Sequence, residues 1–392
     1  AVTVSSGDTL DLNGQRAEAS GILTIADGGT MNTTNGGLLV CASNLVATGA
    51  IEDIDGTPLN VIVSGGTGHK YNLGQSGGGG PWCENLLVNG DVTHNTGNIG
   101  NPSSAHAPKN IIVGSGTFTQ SGGNTTLQDF TIATGGIFPA GSQTVTCEGD
   151  FTTSGGLLGA SAIDLNGSQQ HYSTGSAVAV GTNSAWTIEG WMRRDDGTSG
   201  NQVFVELKTA SDNNNRVWVN IDTDDVQMLI YSNGGSLGLA ATANQGLNDG
   251  KWHHIAVTYD STTCQIYVDG KLTTSEVISK TVDNTDDRII NVGANVGTYA
   301  NEFTGAIDEV RIWSDVRTEA EIRANMFSEV SSGDGLVQNW RFNEGTGDSA
   351  AANVGNSLAA KVGGNSASSQ GASLWVGAGT FTYGTSTLVM AK

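Results

Sequence analysis

The shortness of its apolar runs is what most constrains this chain. From Ala1 to Ala160 the sequence is poor in helix formers, and brief β-branched runs alternate there with Gly/Asn turns: Val2-Thr3-Val4, Thr9-Leu10-Asp11-Leu12, Gly21-Ile22-Leu23-Thr24-Ile25, Gly37-Leu38-Leu39-Val40 and Asn60-Val61-Ile62-Val63. A period of two sends successive side chains to opposite faces, so each run reads as a strand with one buried face. Asp27-Gly28-Gly29 and Asn35-Gly36-Gly37 supply the positive-φ positions that tight turns need. The 57 glycines follow no three-residue period, which excludes a collagen helix. Hydrophobic residues are 37% of the chain and recur in alternating runs, which argues against wholesale disorder. Charged residues are 14%, fewer than ordinary enzymes carry.

An internal repeat overlies the strands. Val88-Asn89-Gly90-Asp91-Val92-Thr93 resembles Val113-Gly114-Ser115-Gly116-Thr117-Phe118-Thr119, and Cys147-Glu148-Gly149-Asp150-Phe151-Thr152 reads as a third copy. A fourth, Val376-Gly377-Ala378-Gly379-Thr380-Phe381-Thr382, matches the second at most positions. The intervals from Gly90 to Gly116 and from Gly116 to Gly149 suit coils of a β-solenoid or a stacked β-strand array. Coincidence in a Gly/Thr-rich chain is the alternative, and the fourth copy argues against it. The pattern stops near Gly159 and resumes near Trp375. Residues 1–160 and 376–392 therefore read as one repetitive β region, interrupted by a different domain at 161–375. A solenoid closing with Ser386-Thr387-Leu388-Val389-Met390 has an open edge, which is expected to pair with another subunit or with sequence outside this chain. The sequence starts at Ala1 with neither an initiator Met nor a signal peptide, so a processed chain or part of a longer product is expected.

Seven of the eight tryptophans lie at or after Trp186, which marks 161–375 as a domain with its own core. Its strands read 185–192, 202–207, 216–221, 226–231, 253–259 and 264–268, and Asp269-Gly270 is a hairpin turn signal. Many strands at short spacing suggest a sandwich or jelly roll. Thr318-Glu319-Ala320-Glu321 is a capping box opening a helix over Ile322 to Phe327.

Four segments of this domain resemble the laminin-G-like, concanavalin-A-like jelly-roll family: Ala162-Ile163-Asp164-Leu165-Asn166-Gly167 with Trp186-Thr187-Ile188-Glu189-Gly190-Trp191; Gly250 to Tyr259 running into Ile266-Tyr267-Val268-Asp269-Gly270-Lys271; Phe303 to Trp313; and Gly335 to Gly347. Their order and spacing both match. The resemblance implies an all-β, antiparallel two-sheet jelly-roll sandwich, inserted into a repetitive β-solenoid-like or stacked-strand region. In Trp252 to Tyr259, alternate residues are expected to fill the layer between the sheets while His253 faces out. Adjacent His253 and His254 point to opposite faces of a strand and cannot chelate one ion together.

Relatives of the fold include glucanases, lectins, pentraxins and adhesion modules, so the fold leaves function open. Laminarinase-type glucanases carry Glu-x-Asp-x-x-Glu on one strand; no such triplet exists here, and Glu148-Gly149-Asp150 lacks the third carboxylate. No Ser-His-Asp spacing, phosphate-cradling loop or His-x-x-x-His pair is present either, so no enzyme is expected. The resemblance implies that Asp308 helps bind one structural calcium ion, with Asp164 as a neighbour; hydrogen bonding at a strand end is the other reading of Asp308. Asp283, Asn284, Asp286 and Asp287, and separately Asp222, Asp224 and Asp225, form either rim ligand sites or solvated turns. A sugar site needs an aromatic platform with nearby amides, for which Tyr231, Asn233, Tyr299 and Asn301 are loop-placed candidates. Most of the tryptophans read as core.

The formal net charge is −21, from 17 Lys and Arg against 38 Asp and Glu. Such a surface repels nucleic-acid phosphates and anionic lipid, and its plain role is solubility, with a calcium-rich exterior as the sharper reading. No run is long enough to span a membrane. Cys41, Cys83, Cys147 and Cys264 are too dispersed for a zinc site or a disulfide framework and read as buried apolar residues. The expected function is a non-enzymatic virion structural or adhesion protein, similar in design to a bacteriophage tail or head fibre. Its jelly roll would be displayed to contact host-surface glycan or protein, and the chain would form a homo-oligomer, a trimer above all, among other virion or surface proteins. A bacterial cell-surface or secreted adhesin is the alternative. A purely architectural capsid-decorating or lattice unit is the third reading.

Overall fold

The computed structural model describes the chain except for residues 48–49, 53–58, 65–68, 72–82, 95–107, 121–124, 181–184, 210–215, 233–235, 279–287, 296–300, 363–374, 378, 383–386 and 391–392. The chain is all-β and divides into two compact units: Ala1–Leu157 with Gly377–Lys392, and Leu158–Val376.

Every strand pairing among the described residues of the first unit is parallel and joins one coil to the next. Val2–Val4, Leu23–Ile25 and Leu45–Ala47 form one short sheet, and Thr9–Asp11, Thr30–Asn32 and Ala50–Glu52 form a second. The longest ladder runs through Arg16–Ala19, Leu38–Cys41, Leu59–Val63, Cys83–Asn89, Pro108–Gln120, Asp129–Ala133 and Phe151–Gly155. This is a β-solenoid. Its interior holds the inward residue of each run, Ile25, Val61, Val88, Val113 and Ile132 among them, together with Cys41, Cys83 and Cys147. All three of these thiols are free and buried, and burial pushes that of Cys41 up to about 12.

In-register parallel stacking puts like on like. Asn85 donates from Nδ2 to Asn60 Oδ1 at 2.9 Å and accepts from Asn110 Nδ2 at 3.0 Å, one coil to either side. An amide is both donor and acceptor, so it can continue such a ladder from coil to coil. Phenylalanines also gather across coils, with Phe138 stacked on Phe381, tilted to Phe118 and edge-on to Phe130. Phe138 lies 5.8 Å from Phe118, 4.9 Å from Phe130 and 6.0 Å from Phe381, ring centre to ring centre.

The four repeat copies take unequal places. Val92 pairs with Phe118, so the first two copies are neighbours one coil apart, and a Cβ on Gly116 would strike the backbone of Gly90. The fourth copy falls in register with Gly136–Pro139, which in turn pairs with Gly116 and Thr117. The third copy is displaced: Phe151 pairs with Phe130 on the long ladder, and not with Phe118. The interval from Gly116 to Gly149 is therefore not a coil length. The strand missed between the second and fourth copies is Gly136-Ile137-Phe138-Pro139, which lacks the Gly-Thr-Phe-Thr wording but keeps the phenylalanine. After residue 376 the chain returns to complete this stack, with Thr380–Thr382 on Gly136–Pro139 and Thr387–Met390 on Thr144–Cys147.

The second unit is antiparallel throughout its described strands. One sheet orders Ile163–Asn166, Thr304–Trp313, Trp186–Arg194, Trp252–Tyr259, Thr263–Val268 and Lys271–Val277, with Leu336–Trp340 also on Thr304–Trp313. The other orders Ser236–Ala241, Asp225–Ser232, Arg216–Asp222, Asn201–Thr209, Arg288–Val292, Gln170–Ser173, Leu358–Val362 and Ser349–Ala350. Side chains from both sheets fill one core, including Trp186, Ile188, Phe204, Val219, Met228, Ile255, Val257, Cys264, Ile290 and Trp340. Asp269 and Gly270 sit at φ +48° and +67°, the two left-handed positions of a tight hairpin turn. Thr318 caps the helix Glu319–Asn325 with both halves of a capping box. The two ends of the unit meet: Val376 donates its amide to the Ala162 carbonyl at 3.0 Å, and Ile163 bridges Trp375.

Replacing Asn85 by Ala removes the middle of the amide ladder and strands a donor on Asn110. The expected loss is about 1–3 kcal/mol, read from the midpoint of urea unfolding. An unchanged midpoint would show that the ladder is ornamental to stability.

Candidate functional site

The two sheets of the second unit turn different faces away from their shared core. Beyond the seven-stranded sheet, Ile322 of the helix packs on Ala256 and Tyr267. Trp191 donates from Nε1 to the Met326 carbonyl at 2.6 Å, and Arg311 donates to the Asn325 carbonyl at 3.0 Å and to that of Ser328. Under this roof lies a buried polar layer. Glu189 Oε1 accepts from Trp313 Nε1 at 2.9 Å, and Arg311 pairs with Glu309 at 2.8 Å. Burial raises the Glu309 carboxyl despite Arg311, and burial lowers His254 to about 4 although Glu189 stands 3.6 Å away.

The eight-stranded sheet differs. Val205, Leu207, Val217, Val219, Ile221, Met228, Ile230, Ile290 and Val292 point into the core. By alternation Glu206, Lys208, Arg216, Trp218, Asn220, Gln227, Leu229, Tyr231 and Asn291 point away from it. Register aligns them in rows: Ser173, Asn291, Glu206, Trp218, Leu229 and Leu239 form one, and Lys208, Arg216 and Tyr231 the next. Glu206, fully buried, accepts from Trp218 Nε1 at 2.7 Å and from Asn291 Nδ2 at 2.8 Å. Trp218 meets Tyr231 edge-on at 5.2 Å, and the Arg216 guanidinium lies 4.0 Å above the Trp218 ring and 4.5 Å from that of Tyr231. Asn220 donates to Gln227 Oε1 at 3.3 Å and to Asn201 Oδ1. The Oδ1 atoms of Asn220 and Asn291 are buried and lack a partner among the described residues. Leu239, at 49% exposure, shows that this face reaches solvent.

Residues 166–323 match the family model Laminin_G_3, described as the concanavalin A-like lectin/glucanases superfamily. The second unit is a laminin-G-like domain. Comparison with curated proteins gives no match. Among solved structures, a Bacteroides ovatus protein proposed to bind carbohydrate is 20% identical at a TM-score of 0.39, over 52% of this chain and 59% of its own. This chain thus spans less than two thirds of that protein. The CBM40 of a Ruminococcus gnavus IT-sialidase, bound to alpha2,3 sialyllactose, is 15% identical at a TM-score of 0.35, over 42% of this chain and 95% of its own. Domain 4 of an extracellular arabinanase from Geobacillus stearothermophilus, in complex with arabinotriose, is 19% identical at 0.33, over 42% and 75%.

Within the laminin-G-like domain the expected site residues are scattered. Tyr231 is half-buried in the Arg216–Trp218 cluster. Asn301 is also half-buried; it sits at φ +64° and its carbonyl accepts from the Val203 amide at 2.8 Å, at the far end of Asn201–Thr209 from Lys208. Asn233, Tyr299 and the group Asp283, Asn284, Asp286 and Asp287 lie outside the described residues. Asp222 accepts from Gln227 Nε2 at 3.1 Å across its own hairpin, and Asp225 accepts the Asn244 amide at 2.6 Å from the segment after Ser236–Ala241.

Asp308 is fully buried and accepts the Leu158 amide at 3.1 Å, while Asp164 is exposed opposite Ala306. Among the described residues no three His, Cys, Asp or Glu side chains gather as metal ligands. The Asp308 region is a β-bulge: pairing with Trp186–Arg194 shifts register there, and Glu309 takes φ +52°. The extra residue lets both acids avoid the core, which resumes at Val310.

The alternation in Trp252 to Tyr259 runs opposite to expectation. Ile255, Val257 and Tyr259 face the core, so His253 shares their side, and His254 lies on the other face near Trp191. At the strand end His253 is held between Asp269 Oδ2 at 2.9 Å and Asp249 Oδ1 at 3.2 Å. Burial alone would lower its pKa, but the two carboxylates outweigh it and raise it to about 10. A pKa raised above its unfolded value of 6.5 gives stability that is complete below that value and lost as pH climbs through 10. Urea midpoints of the wild type and of His253→Gln should therefore converge between pH 6.5 and 10. A gap independent of pH would contradict the charged triad.

Proposed function

We propose that this protein is a non-enzymatic adhesion protein whose laminin-G-like domain binds a glycan on the outward face of its eight-stranded sheet. The observation that carries the reading is the cluster of Trp218, Tyr231, Glu206, Asn291 and Asn220 on that face. A sugar offers hydroxyls to fixed polar groups and a C–H surface to an aromatic edge, and both kinds of partner stand in adjacent rows here. Glu206, fully buried, accepts from Trp218 Nε1 and Asn291 Nδ2 and so holds those two side chains in place on the face. Hydrolysis by paired carboxylates needs a second acid across the scissile bond, and the Glu206 row carries none.

The setting proposed is a bacteriophage tail or head fibre, with a bacterial surface adhesin as the alternative. The repetitive parallel coils interrupted by a lectin-like domain support it. So does the last strand, Thr387–Met390, where Leu388 and Met390 are exposed and further copies of the chain could pair. An architectural role without glycan binding is what a negative binding result would favour.

The test is the full chain on a broad glycan array, with and without calcium, followed by Tyr231→Ala and Trp218→Ala. At least one glycan class should bind, and each truncation should weaken it about tenfold or more, the size of a contact of about 1.4 kcal/mol. No binding in either condition would sink the reading.

A further inference from the structure

Resting on that reading, we infer that Arg216 is the gate of the sugar platform: its guanidinium covers the Trp218 ring and must swing aside before a sugar can stack there. Arg216 stands two residues before Trp218 on one strand and directly opposite Tyr231 on the next, so its side chain reaches both rings. The guanidinium lies 4.0 Å from the centre of the Trp218 ring and 4.5 Å from that of Tyr231. A sugar lays its C–H face on an aromatic ring, and here the chain itself takes that place. Trp218 accordingly keeps only 8% exposure although it points away from the core, whereas Leu239, two strands further along the same row, keeps 49%.

The cover is soft. An aromatic face attracts a guanidinium, and arginine is weakly enough hydrated to lie on one. In this position, however, its Nε is buried and donates to no group among the described residues, a cost of the same order as the attraction. Swung outward, the group regains water at Nε and keeps its charge in solvent. The ring it leaves stays in place, because Glu206 holds the indole Nε1 at 2.7 Å. That ring then continues through Leu229 to Leu239 as an apolar strip. A ligand that fills the vacated place exchanges one stacking partner for another, so the cover is subtracted from its affinity. Arg216 thus weakens binding, the opposite of a residue that contacts the ligand.

The test compares the full chain with its Arg216→Ala variant, first without ligand. Acrylamide should quench tryptophan fluorescence more in Arg216→Ala. Trp186, Trp191, Trp252, Trp313 and Trp340 are fully buried and add nothing to the difference, and Trp218→Ala in both backgrounds should erase it. On the glycan array, with its printed oligosaccharides as probes, Arg216→Ala should bind the glycans that wild type binds about threefold to thirtyfold more tightly, the worth of the contact removed. Adding Trp218→Ala should cancel that gain. If Arg216→Ala does not fold, Arg216→Gln, which keeps part of the stem and lacks the cation, must still raise both quenching and affinity. Equal quenching of wild type and Arg216→Ala overturns the inference, because the ring was then not covered. Unchanged or weaker glycan binding by Arg216→Ala also overturns it and leaves glycan binding standing. An empty array for both chains removes both readings.

Discussion

A coil of the first unit has no stability of its own, because each of its strands takes its backbone hydrogen bonds from a strand one turn away. That constraint governs what can be written along the chain. Residues that stack must tolerate a copy of themselves about 4.8 Å above and below. Small turns, amides and phenylalanines meet the condition; unpaired charges do not. Lys109 is a rare basic residue in this unit and answers Glu84 one coil earlier, at 2.6 Å. The scarcity of charge along the coils follows from the same rule.

Much of this was legible as sequence. Each alternating run became a strand, and Gly90 and Gly116 became true neighbours. Two things were hidden. Gly136-Ile137-Phe138-Pro139 resembles its neighbours only through Phe138, because stacking conserves the inward side chain and lets the words around it drift. Phe151 looked like a repeat copy because Gly-Asp-Phe-Thr suits any coil corner, whichever ladder follows it.

In the laminin-G-like domain the fold was legible through four spaced segments, whereas side-chain direction was not. Trp252 to Tyr259 is buried on both faces, one by the opposing sheet and one by the helix, so polarity could not reveal its phase. The bulge at Asp308 and Glu309 is invisible to any strict two-residue count. The Arg216 cluster is a different case, since a signal was there. In Arg216-Val217-Trp218-Val219-Asn220-Ile221-Asp222 the aliphatic residues own one face, and Trp218 falls with Arg, Asn and Asp on the other. Treating tryptophan as core by default concealed it. Its burial, at 8% exposure, comes from the guanidinium above and the ring beside it.

The meeting of Ala162 with Val376 has a consequence for how the chain assembles. Ile137 and Thr380 must pair although the whole laminin-G-like domain lies between them in sequence. Closing a flexible loop of that size carries an entropic penalty on the order of 5 kcal/mol, which one short strand would struggle to overcome. A folded domain whose ends are already clasped shortens that loop to the short stretches on either side of it. The coil built from Thr380–Thr382 is thus easier to close once the laminin-G-like domain has folded. During synthesis the early coils can stack as they emerge, while the last one must wait, so topology alone imposes an order of events that no local propensity encodes.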